Sequence, residues 1–375
     1  MTREQAIALV RRLIDAAGRR DVSSIADCYA EKAVAVSPVF GDVRGRTRIA
    51  ETWAMLWSTF TDLALDVSDL LVEGDRIAVL GTVKTTDRLG WFGLPATGAP
   101  LNYRIVLLLT VAGGKIVHDE RIYDSAGLVE RLEKARLDKE LRTAADMQRA
   151  LLSRTAHVNH FCESVGDSVP CRAIGGDFFE FVELPSGDVG LAMGDVAGKG
   201  PAAALLAAML QGMLAADAPA GGGPAVTLAR LNRRLAARQI ESRFATMVYG
   251  VLSSDGRFIY SNAGHNPPLL LARDGVRRLT TGGPILGVFA DAIFEEECLH
   301  LHGLDTLVMF TDGVTEARNA GDEEFGDDRL ITCLTTGTGS PPLALLGRIF
   351  DTVRAFCQLS DQTDDITATV TRFSS

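Results

Sequence analysis

Hydrophobic and polar positions change their spacing twice along the chain and so divide it into three stretches. Over residues 1–124, apolar side chains first recur at helical spacing, as in ALVRRLIDAAG, and later alternate with polar ones, as in DRIAVLGTVKTTD. Helical spacing indicates a helix with one buried face, and alternation indicates a half-buried strand. The pattern predicts helices after Thr2, after Asp21 and over 46–60, followed by antiparallel strands. We therefore expect an α+β cone, a curved sheet wrapped around helices.

The second stretch, residues 125–157, begins as an uninterrupted helical pattern. The segment SAGLVERLEKARLDKELRTAADMQRALLSR contains no proline and is rich in strong helix formers. Its apolar positions alternate spacings of four and three, which is typical of coiled coils, and the phase breaks after Ala135. The seam positions are Leu128, Leu132 and Ala135, then Leu137, Leu141, Ala144, Gln148 and Leu151. We expect a helical coiled-coil connector that joins two chains in a homodimer. The alternative is an amphipathic helix that packs on its own domain.

The third stretch, residues 158–375, alternates short apolar strands and glycine turns with helical tracts. The tracts lie near 200–216, 225–240 and 341–356. The strands read as hairpins rather than as strand–helix–strand crossovers, because tight turns separate many of them. We expect largely antiparallel sheets with helices packed on them, so the whole chain belongs to the α+β class.

Composition and charge limit the classes of binding partner and the cellular compartment that we expect for this protein. The chain has 375 residues and a net charge of −10, which disfavours binding to nucleic acid or to an anionic membrane. The six cysteines form no CxxC pair, and the opening MTREQAIALV lacks the features of a secretory leader. The longest charge-free apolar stretch, 201–216, is shorter than the ~20 residues that span a bilayer. We expect a cytoplasmic protein with no membrane segment.

Acidic residues beside apolar strands supply the candidate chemistry of the third stretch. Asp177 lies in IGGDFFEF, Asp195 in AMGDVAGKG, Asp312 in VMFTDGVTEA, and Asp364 with Asp365 in QTDDITATV. A single Asp-Gly is usually a turn, but strand ends bring several such residues to one edge of a sheet. Crowded carboxylates repel one another unless a cation neutralises them. Oxygen ligands without cysteine or histidine suit hard cations such as Mg²⁺ or Mn²⁺.

These motifs, in the order GGDFFEF, GDVAGKG, SNAGHNPPLLL, GGPILGV, FTDGVTEARN and DDITATVTR, resemble a known family. It is the SpoIIE/RsbU branch of the PP2C-type serine/threonine phosphatases, and the likeness covers about 158–372. The resemblance implies a PP2C-like αββα sandwich that binds two Mn²⁺ or Mg²⁺ ions per phosphatase domain.

The same resemblance implies a role for each motif residue. Asp195 would bridge both metals and the Val196 carbonyl would add a ligand. Asp312 and Asp364 would complete one metal site, and Asp177 would serve the other. We expect Asp365 and Gly176 to hold these ligands in position without binding the metals themselves. The arrangement would activate a water that attacks phosphoserine or phosphothreonine directly.

The family layout implies a substrate and a pathway. The substrate would be a phosphorylated STAS-domain protein, an anti-sigma-factor antagonist, in a partner-switching pathway that the N-terminal domain regulates. The rival hypothesis is a pseudophosphatase that docks a partner without turnover. Two further features are interpreted from the residues alone. His265 in AGHNPP is either a general acid or a turn histidine, and the acidic run at 322–328 is expected to be a solvated loop.

Residues 1–124 resemble the NTF2-like fold, nearest its SnoaL-like polyketide-cyclase branch. The likeness rests on ALVRRLIDAAGRRD, VRGRTRIAETW and LPATGAPLNYRIVLLLTVAGGKIVHDERIYD. It implies an apolar pocket, for which the candidate residues are Trp53, Trp57, Tyr103 and Asp124. The strand RIVLLLTV lacks the histidine that family enzymes carry there. We therefore expect a domain that senses a small molecule or dimerises, and the alternative is a cyclase or isomerase in a bifunctional protein.

Overall fold

The computed structural model describes residues 2–91, 93–151, 155–238, 244–358 and 360–374. The chain divides into two compact units, Met1–Glu140 and Leu141–Ser375. The division falls inside one long helix, Ser125–Leu151, so this helix belongs partly to each unit. The sequence prediction instead separates 1–124, 125–157 and 158–375.

Unit 1 is a six-stranded sheet with helices against one face. Its elements are α1 (Arg3–Gly18), α2 (Val22–Cys28), β1 (Tyr29–Ser37), β2 (Gly41–Arg44), α3 (Arg46–Thr59), β3 (Ala64–Glu73), β4 (Arg76–Thr86), β5 (Pro100–Ala112), β6 (Lys115–Ile122) and the start of α4 (Ser125–Leu151). Helix α1 begins where Thr2 and Gln5 form a reciprocal capping box. The strand order is β2-β1-β6-β5-β4-β3, with β1 parallel to β6 and the other neighbours antiparallel.

Unit 2 contains two sheets and the remaining helices. Its elements are β7 (Ala156–Val158), β8 (Cys162–Val169), β9 (Phe178–Glu183), β10 (Val189–Val196), α5 (Pro201–Asp217), α6 (Gly223–Ala236), β11 (Ala245–Leu252), β12 (Arg257–Ala263), β13 (Leu269–Ala272), β14 (Gly275–Arg278), β15 (Gly282–Gly283), β16 (Glu297–His300), β17 (Thr306–Phe310), α7 (Asp312–Thr315), α8 (Gly326–Thr336), α9 (Pro342–Cys357) and β18 (Ile366–Phe373).

The two sheets of unit 2 stack face to face, and helices cover their outer faces. One sheet has the order β15-β12-β11-β10-β9, with β16 also on β12, and the other has the order β14-β13-β17-β18-β8-β7. Phe181 and Leu191 of the first sheet pack with Leu307 and Met309 of the second in one buried cluster. Helices α5 and α6 cover the first sheet, and α8 and α9 cover the second. The expected αββα sandwich is confirmed.

Two assignments differ from the sequence prediction. Ala156 and His157, assigned to the helical connector, lie in strand β7, and residues 152–154 lie outside the described residues. Asp327 and Asp328, assigned to a solvated loop, form the first turn of α8. Carboxylates there interact favourably with the helix dipole, so an acidic run also signals a helix start. The predicted end of the 225–240 helix falls partly on undescribed residues.

Helix α5 and the turn that follows it extend beyond the charge-free stretch 201–216. With the turn that follows, the helical segment Pro201–Ala220 is long and apolar enough to cross a membrane by length and composition alone. Half of its most apolar window is buried inside unit 2. Ala203, Leu206, Leu210 and Leu214 pack against the first sheet. This burial explains the apolar composition of α5 without a bilayer.

We predict that the sandwich depends on strand β10, which pairs with β9 on one side and β11 on the other. Leu191→Ala removes a fully buried side chain and should lower the free energy of unfolding by about 2–5 kcal/mol. The matched control is Leu205→Ala on α5, where the leucine is 74% exposed and the change should stay within about 0.5 kcal/mol. Urea unfolding followed by circular dichroism measures both. Equal losses in the two variants would contradict the packing described for β10.

Candidate metal centre

The pairing of β9 with β10 brings the first two aspartates to one edge of the first sheet. The strands are antiparallel and Phe178 lies opposite Gly194, so the start of β9 adjoins the end of β10. Asp177 directly precedes β9, and Asp195 is the penultimate residue of β10. Their carboxylates therefore approach each other although different motifs supply them.

The second sheet delivers its aspartates to the same place. Phe310 at the end of β17 pairs with Ala368 near the start of β18. Asp312 follows β17 at the first position of α7, and Asp364 comes just before β18. The hydroxyl of Thr311 donates a hydrogen bond of 2.7 Å to Oδ2 of Asp177, which connects the edges of the two sheets. The four predicted ligand residues thus converge on one end of the sandwich.

The carboxylates at this edge have too little neighbouring positive charge to keep their pKa values in the usual range. Burial, reinforced by the charge of Asp195, raises the pKa of Asp177 well above its usual range. Burial and the neighbouring Asp312 raise the pKa of Asp195 to about 7. Burial and the charge of Asp364 raise the pKa of Asp312. Desolvation and like charge both disfavour the ionised form, and a bound cation offsets both.

Both carboxylate oxygens of Asp365 accept hydrogen bonds from backbone N–H groups, so this side chain does not offer an open position for a metal. Its Oδ1 accepts a hydrogen bond of 2.8 Å from the Cys171 N–H, and its Oδ2 accepts one of 2.7 Å from the Gly176 N–H. Cys171, Asp364 and Asp365 have ligand atoms within 4.8 Å of one another. Burial and the adjacent Asp365 raise the pKa of the Cys171 thiol to about 11, and a protonated thiol is a poor ligand. Asp365 therefore braces the loop that carries Asp177.

Two glycines allow backbone to approach where a side chain would block it. A Cβ on Gly176 would lie 2.8 Å from the carbonyl oxygen of Val196, the oxygen predicted as a ligand. A Cβ on Gly313 would lie 2.0 Å from the carbonyl oxygen of Asp365. Both separations are shorter than a Cβ tolerates, so these positions require glycine. The glycines therefore leave space for backbone atoms around Asp195 and Val196.

Lys199 lies beside the candidate site, and the sequence analysis gave it no role there. Its Nζ lies 2.8 Å from Oδ2 of Asp364 and also bonds to the Thr363 carbonyl. Asp364 is one of the predicted ligands, so the lysine supplies local positive charge to the carboxylate cluster. The only sequence signal is the position of Lys199 in GDVAGKG, in the same motif as Asp195.

The donor set fits a hard divalent cation. The candidate donor atoms are carboxylate oxygens of Asp177, Asp195, Asp312 and Asp364 and the Val196 carbonyl, all supplied by residues at this end of the two sheets. Oxygen-only sites of this kind suit Mg²⁺ or Mn²⁺. The raised pKa values of three of these carboxylates agree with a site that needs added positive charge.

His265 lies in a buried turn. Its ring Nδ1 is 2.8 Å from the Thr246 hydroxyl, and its backbone N–H and carbonyl bond to the Asn262 side chain. Burial lowers the pKa of His265 to about 4, so the ring is neutral near pH 7. A neutral ring held by its turn favours the structural interpretation over the general acid.

The N-terminal candidates are only partly brought together. Trp53 and Tyr103 line a cavity of unit 1, but Trp57 is buried outside that lining. Asp124 is exposed, and its Oδ1 accepts a hydrogen bond of 2.8 Å from the Gly127 N–H. Trp57 and Asp124 are thus not among the described residues that line this cavity, and their place in a ligand pocket stays a prediction. The Asp124 carboxylate caps helix α4, because the first N–H groups of a helix need external acceptors.

We predict a pH signature for the unneutralised carboxylates. In the folded, metal-free chain the pKa of Asp195 is about 7 instead of 3.8, so the folded state keeps a proton that the unfolded state has lost. Stability should therefore fall as pH rises from about 4 to about 7. Asp195→Asn should flatten this part of the profile, and Mn²⁺ added at pH 7 should restore stability to the parent chain only. Thermal melts in EDTA and in Mn²⁺ measure this, and identical profiles for parent and variant would contradict it.

Comparison with known proteins agrees with this architecture. The family model described as Stage II sporulation protein E (SpoIIE) matches residues 185–374, and the model described as SnoaL-like domain matches residues 10–119. Asp195, Asp312 and Asp364 lie inside the SpoIIE match, and Asp177 precedes it.

Two curated relatives and one solved structure illustrate the likeness. Phosphoserine phosphatase RsbU of Bacillus subtilis (strain 168) is 31% identical over 185 residues, 48% of this chain and 55% of the relative. Protein IcfG of Synechocystis sp. (strain ATCC 27184 / PCC 6803 / Kazusa) is 30% identical over 227 residues, 53% of this chain and 36% of the relative. The chain thus spans about half or less of these relatives. The SiaA-PP2C domain of Pseudomonas aeruginosa, 18% identical, shares the fold with a TM-score of 0.57 over 64% of this chain and 99% of that domain. The chain belongs to the SpoIIE family of PP2C-type proteins and carries a SnoaL-like domain at its N-terminus.

Proposed function

We propose that this chain is a metal-dependent protein serine/threonine phosphatase. The observation that carries the proposal is the convergence of Asp177, Asp195, Asp312 and Asp364 at the end of the αββα sandwich, three of them with raised pKa values. A relative that is 31% identical over 185 residues is named a phosphoserine phosphatase. The activity proposed for this chain is hydrolysis of a phosphomonoester on serine or threonine.

In this proposal the four aspartates and the Val196 carbonyl hold two Mn²⁺ or Mg²⁺ ions. When bound, such ions neutralise charge on phosphoryl oxygens and lower the pKa of water. The protein's own residues orient the site. Thr311 fixes one oxygen of Asp177, and Asp365 fixes the loop in front of it. Lys199 contributes a cation beside Asp364, which favours the approach of an anionic phosphate.

The proposed substrate is a phosphorylated STAS-domain protein that acts as an anti-sigma-factor antagonist. The motif resemblance to the SpoIIE/RsbU branch supports this choice, as does the RsbU relative. Release of phosphate would switch the antagonist between partners, so an opposing kinase on a separate chain is part of the proposal. We place this activity in the cytoplasm, as the cysteine usage suggests.

The proposed control element is the C-terminal part of helix α4, which contacts the site loop inside unit 2. The side-chain amide of Gln148 donates a hydrogen bond of 2.8 Å to the Gly175 carbonyl and accepts one of 3.2 Å from the Gly175 N–H. Gln148, Gly175 and Asp177 also line one cleft. Gln211 on α5 donates to the Leu151 carbonyl at the end of the helix. A shift of α4 would therefore act on the loop two residues before Asp177.

Dimerisation through α4 remains part of the proposal. Leu137 and Leu151 of the predicted seam are 55% and 58% exposed within a single chain. Leu128 and Leu132 of the seam are fully buried in unit 1, so a second copy would pair only with the later seam positions and would change the setting of the helix there. Gln148, which the heptad pattern assigns to the seam, is instead bonded to Gly175.

We predict that the aspartates are required for turnover. Asp195→Asn and Asp312→Asn should each reduce Mn²⁺-dependent hydrolysis of p-nitrophenyl phosphate by at least about a hundredfold, because metal ions supply several kcal/mol to such reactions. Calorimetric titration should show weakened Mn²⁺ binding in both variants. The control, Asp291→Asn, changes an exposed aspartate and should leave both measurements unchanged. Hydrolysis that persists in EDTA would refute a metal-dependent phosphatase.

The same experiment tests the rival hypothesis, a pseudophosphatase that binds a partner without turnover. The ion pair of Lys199 with Asp364 favours this rival, because it partly neutralises a proposed ligand. A chain that binds Mn²⁺ and a phosphorylated STAS protein yet releases no phosphate would establish it.

We predict that Gln148 couples α4 to the metal centre. Gln148→Ala removes two hydrogen bonds to Gly175 and should weaken the apparent Mn²⁺ affinity of the full-length chain by about tenfold. The control is Arg142→Ala, an exposed position on the same helix. Calorimetry with Mn²⁺ provides the measurement, and equal affinities in the two variants would argue against the coupling.

A further inference from the structure

The strand beside Asp195 carries a threonine at the matching position. Strands β10 and β11 are antiparallel, and Thr246 lies directly opposite Asp195. Residues opposite each other in such a pair point to the same face of the sheet, with Cβ atoms about 4.5–5.5 Å apart. Met193 and Val248, two positions away on each strand, pack in the cluster between the two sheets. Side chains two positions apart share a face of a strand, so Thr246 stands beside the Asp195 carboxylate on the face toward the second sheet.

His265 holds this threonine from a buried turn. Its Nδ1 lies 2.8 Å from the Thr246 hydroxyl, and His265 is 5% exposed. The Asn262 side chain accepts a hydrogen bond of 2.7 Å from the His265 N–H and donates one of 2.9 Å to the His265 carbonyl. The backbone on which the ring stands is therefore fixed. A hydrogen bond to a fixed ring selects one rotamer of Thr246 from the three staggered alternatives.

The same ring also meets the second sheet. Burial lowers the pKa of His265 to about 4, and an interaction with the backbone of Phe310 opposes that shift. Phe310 is the last residue of β17, two positions before Asp312. The ring thus lies between a neighbour of Asp195 in one sheet and the strand that leads to Asp312 in the other.

Stability alone does not account for a histidine at this position. Its Nε2 is buried and has no hydrogen-bond partner in the described ranges of the chain, so the contact with Phe310 is not a full hydrogen bond. A buried polar atom left unpaired destabilises the folded state, and such atoms are rare in native proteins. An apolar side chain would fill the same space without that penalty, which favours a functional reason for the histidine. Because the ring is enclosed, it acts through its neighbours rather than on a substrate.

We propose that His265 is a positioning residue of the candidate metal centre. By fixing Thr246 beside Asp195 and filling the space next to Phe310, the ring keeps the carboxylates of the two sheets at a set spacing. Ligands of a metal must be held within about 0.5 Å of their productive positions, and buried neighbours with locked rotamers provide that precision. The inference rests on the proposed function, because it assigns His265 to the site that would bind the metal.

A matched pair of variants at Thr246 tests the proposal. Thr246→Val keeps the shape of the side chain and removes the hydroxyl, whereas Thr246→Ser keeps the hydroxyl. Calorimetric titration of the full-length chain with Mn²⁺ should show about tenfold weaker binding for Thr246→Val, since groups that orient metal ligands contribute about 10–100-fold to affinity. Thr246→Ser should stay within about threefold of the parent chain, because its bond to His265 persists. Equal affinities for these two variants would overturn the proposal.

Replacement of the ring gives an independent measure of the same contact. His265→Phe removes both ring nitrogens and should weaken Mn²⁺ binding about tenfold, as Thr246→Val does. Both changes remove the same hydrogen bond, so the double variant should also lose about tenfold rather than about a hundredfold. A loss of about a hundredfold would mean that the two residues act independently, and the proposal would then be wrong.

Leu345→Ala controls for a general loss of stability. Leu345 is buried and lies near the start of β17, at the end of that strand away from Asp312. Thermal melts should show that this variant is less stable than the parent chain, while its Mn²⁺ affinity stays unchanged. If Leu345→Ala binds Mn²⁺ as weakly as Thr246→Val, the loss reflects stability and His265 has no positioning role. A parent chain that binds no Mn²⁺ would refute the proposed function and this inference with it, whereas a parent that binds Mn²⁺ no better than Thr246→Val overturns the inference alone.

Discussion

Mutual repulsion among buried carboxylates is the constraint on which the architecture of unit 2 depends. Two sheets place Asp177, Asp195 and Asp312 at one end of the sandwich, where burial and like charge raise the pKa of each. Such a cluster is tolerated only where neighbouring groups hold it firmly and where positive charge is available. The two backbone N–H groups that bond to Asp365 hold the neighbouring loop firmly. Lys199 contributes positive charge.

The same constraint explains why small residues and backbone atoms surround the site. Gly176 and Gly313 permit main-chain oxygens to approach at separations that any larger residue would prevent. Rigid strands then supply the carboxylates, and short loops supply the braces. The helices on the outer faces have a different task, because they bury the apolar faces of the sheets that hold these strand ends in register.

Much of the fold and the positions of the candidate aspartates could be predicted from local sequence patterns. Asp195 and Asp312 each follow an apolar strand and adjoin glycine, and the α4 segment carries no helix breaker, so short windows identify them. Individual hydrogen bonds between distant segments could not be predicted. Tyr29 and Asp119 are 90 positions apart and meet only because β1 pairs with β6 in parallel. The heptad pattern assigns Gln148 to the coiled-coil seam, because the pattern contains no information about the hydrogen bonds between Gln148 and Gly175. Asp124 fits a family position but serves as a helix cap, which the same residue type does equally well.

The two hydrogen bonds of Asp365 also set an order of events during protein synthesis. They join Asp365 to Cys171 and Gly176 across separations of 194 and 189 residues. A ribosome adds only about 5–20 residues per second, so the loop before Asp177 waits many seconds for its brace to emerge. Until then the nascent chain exposes its early acidic motif without the later ones. The loop before Asp177 is therefore held in place only after Asp365 has left the ribosome.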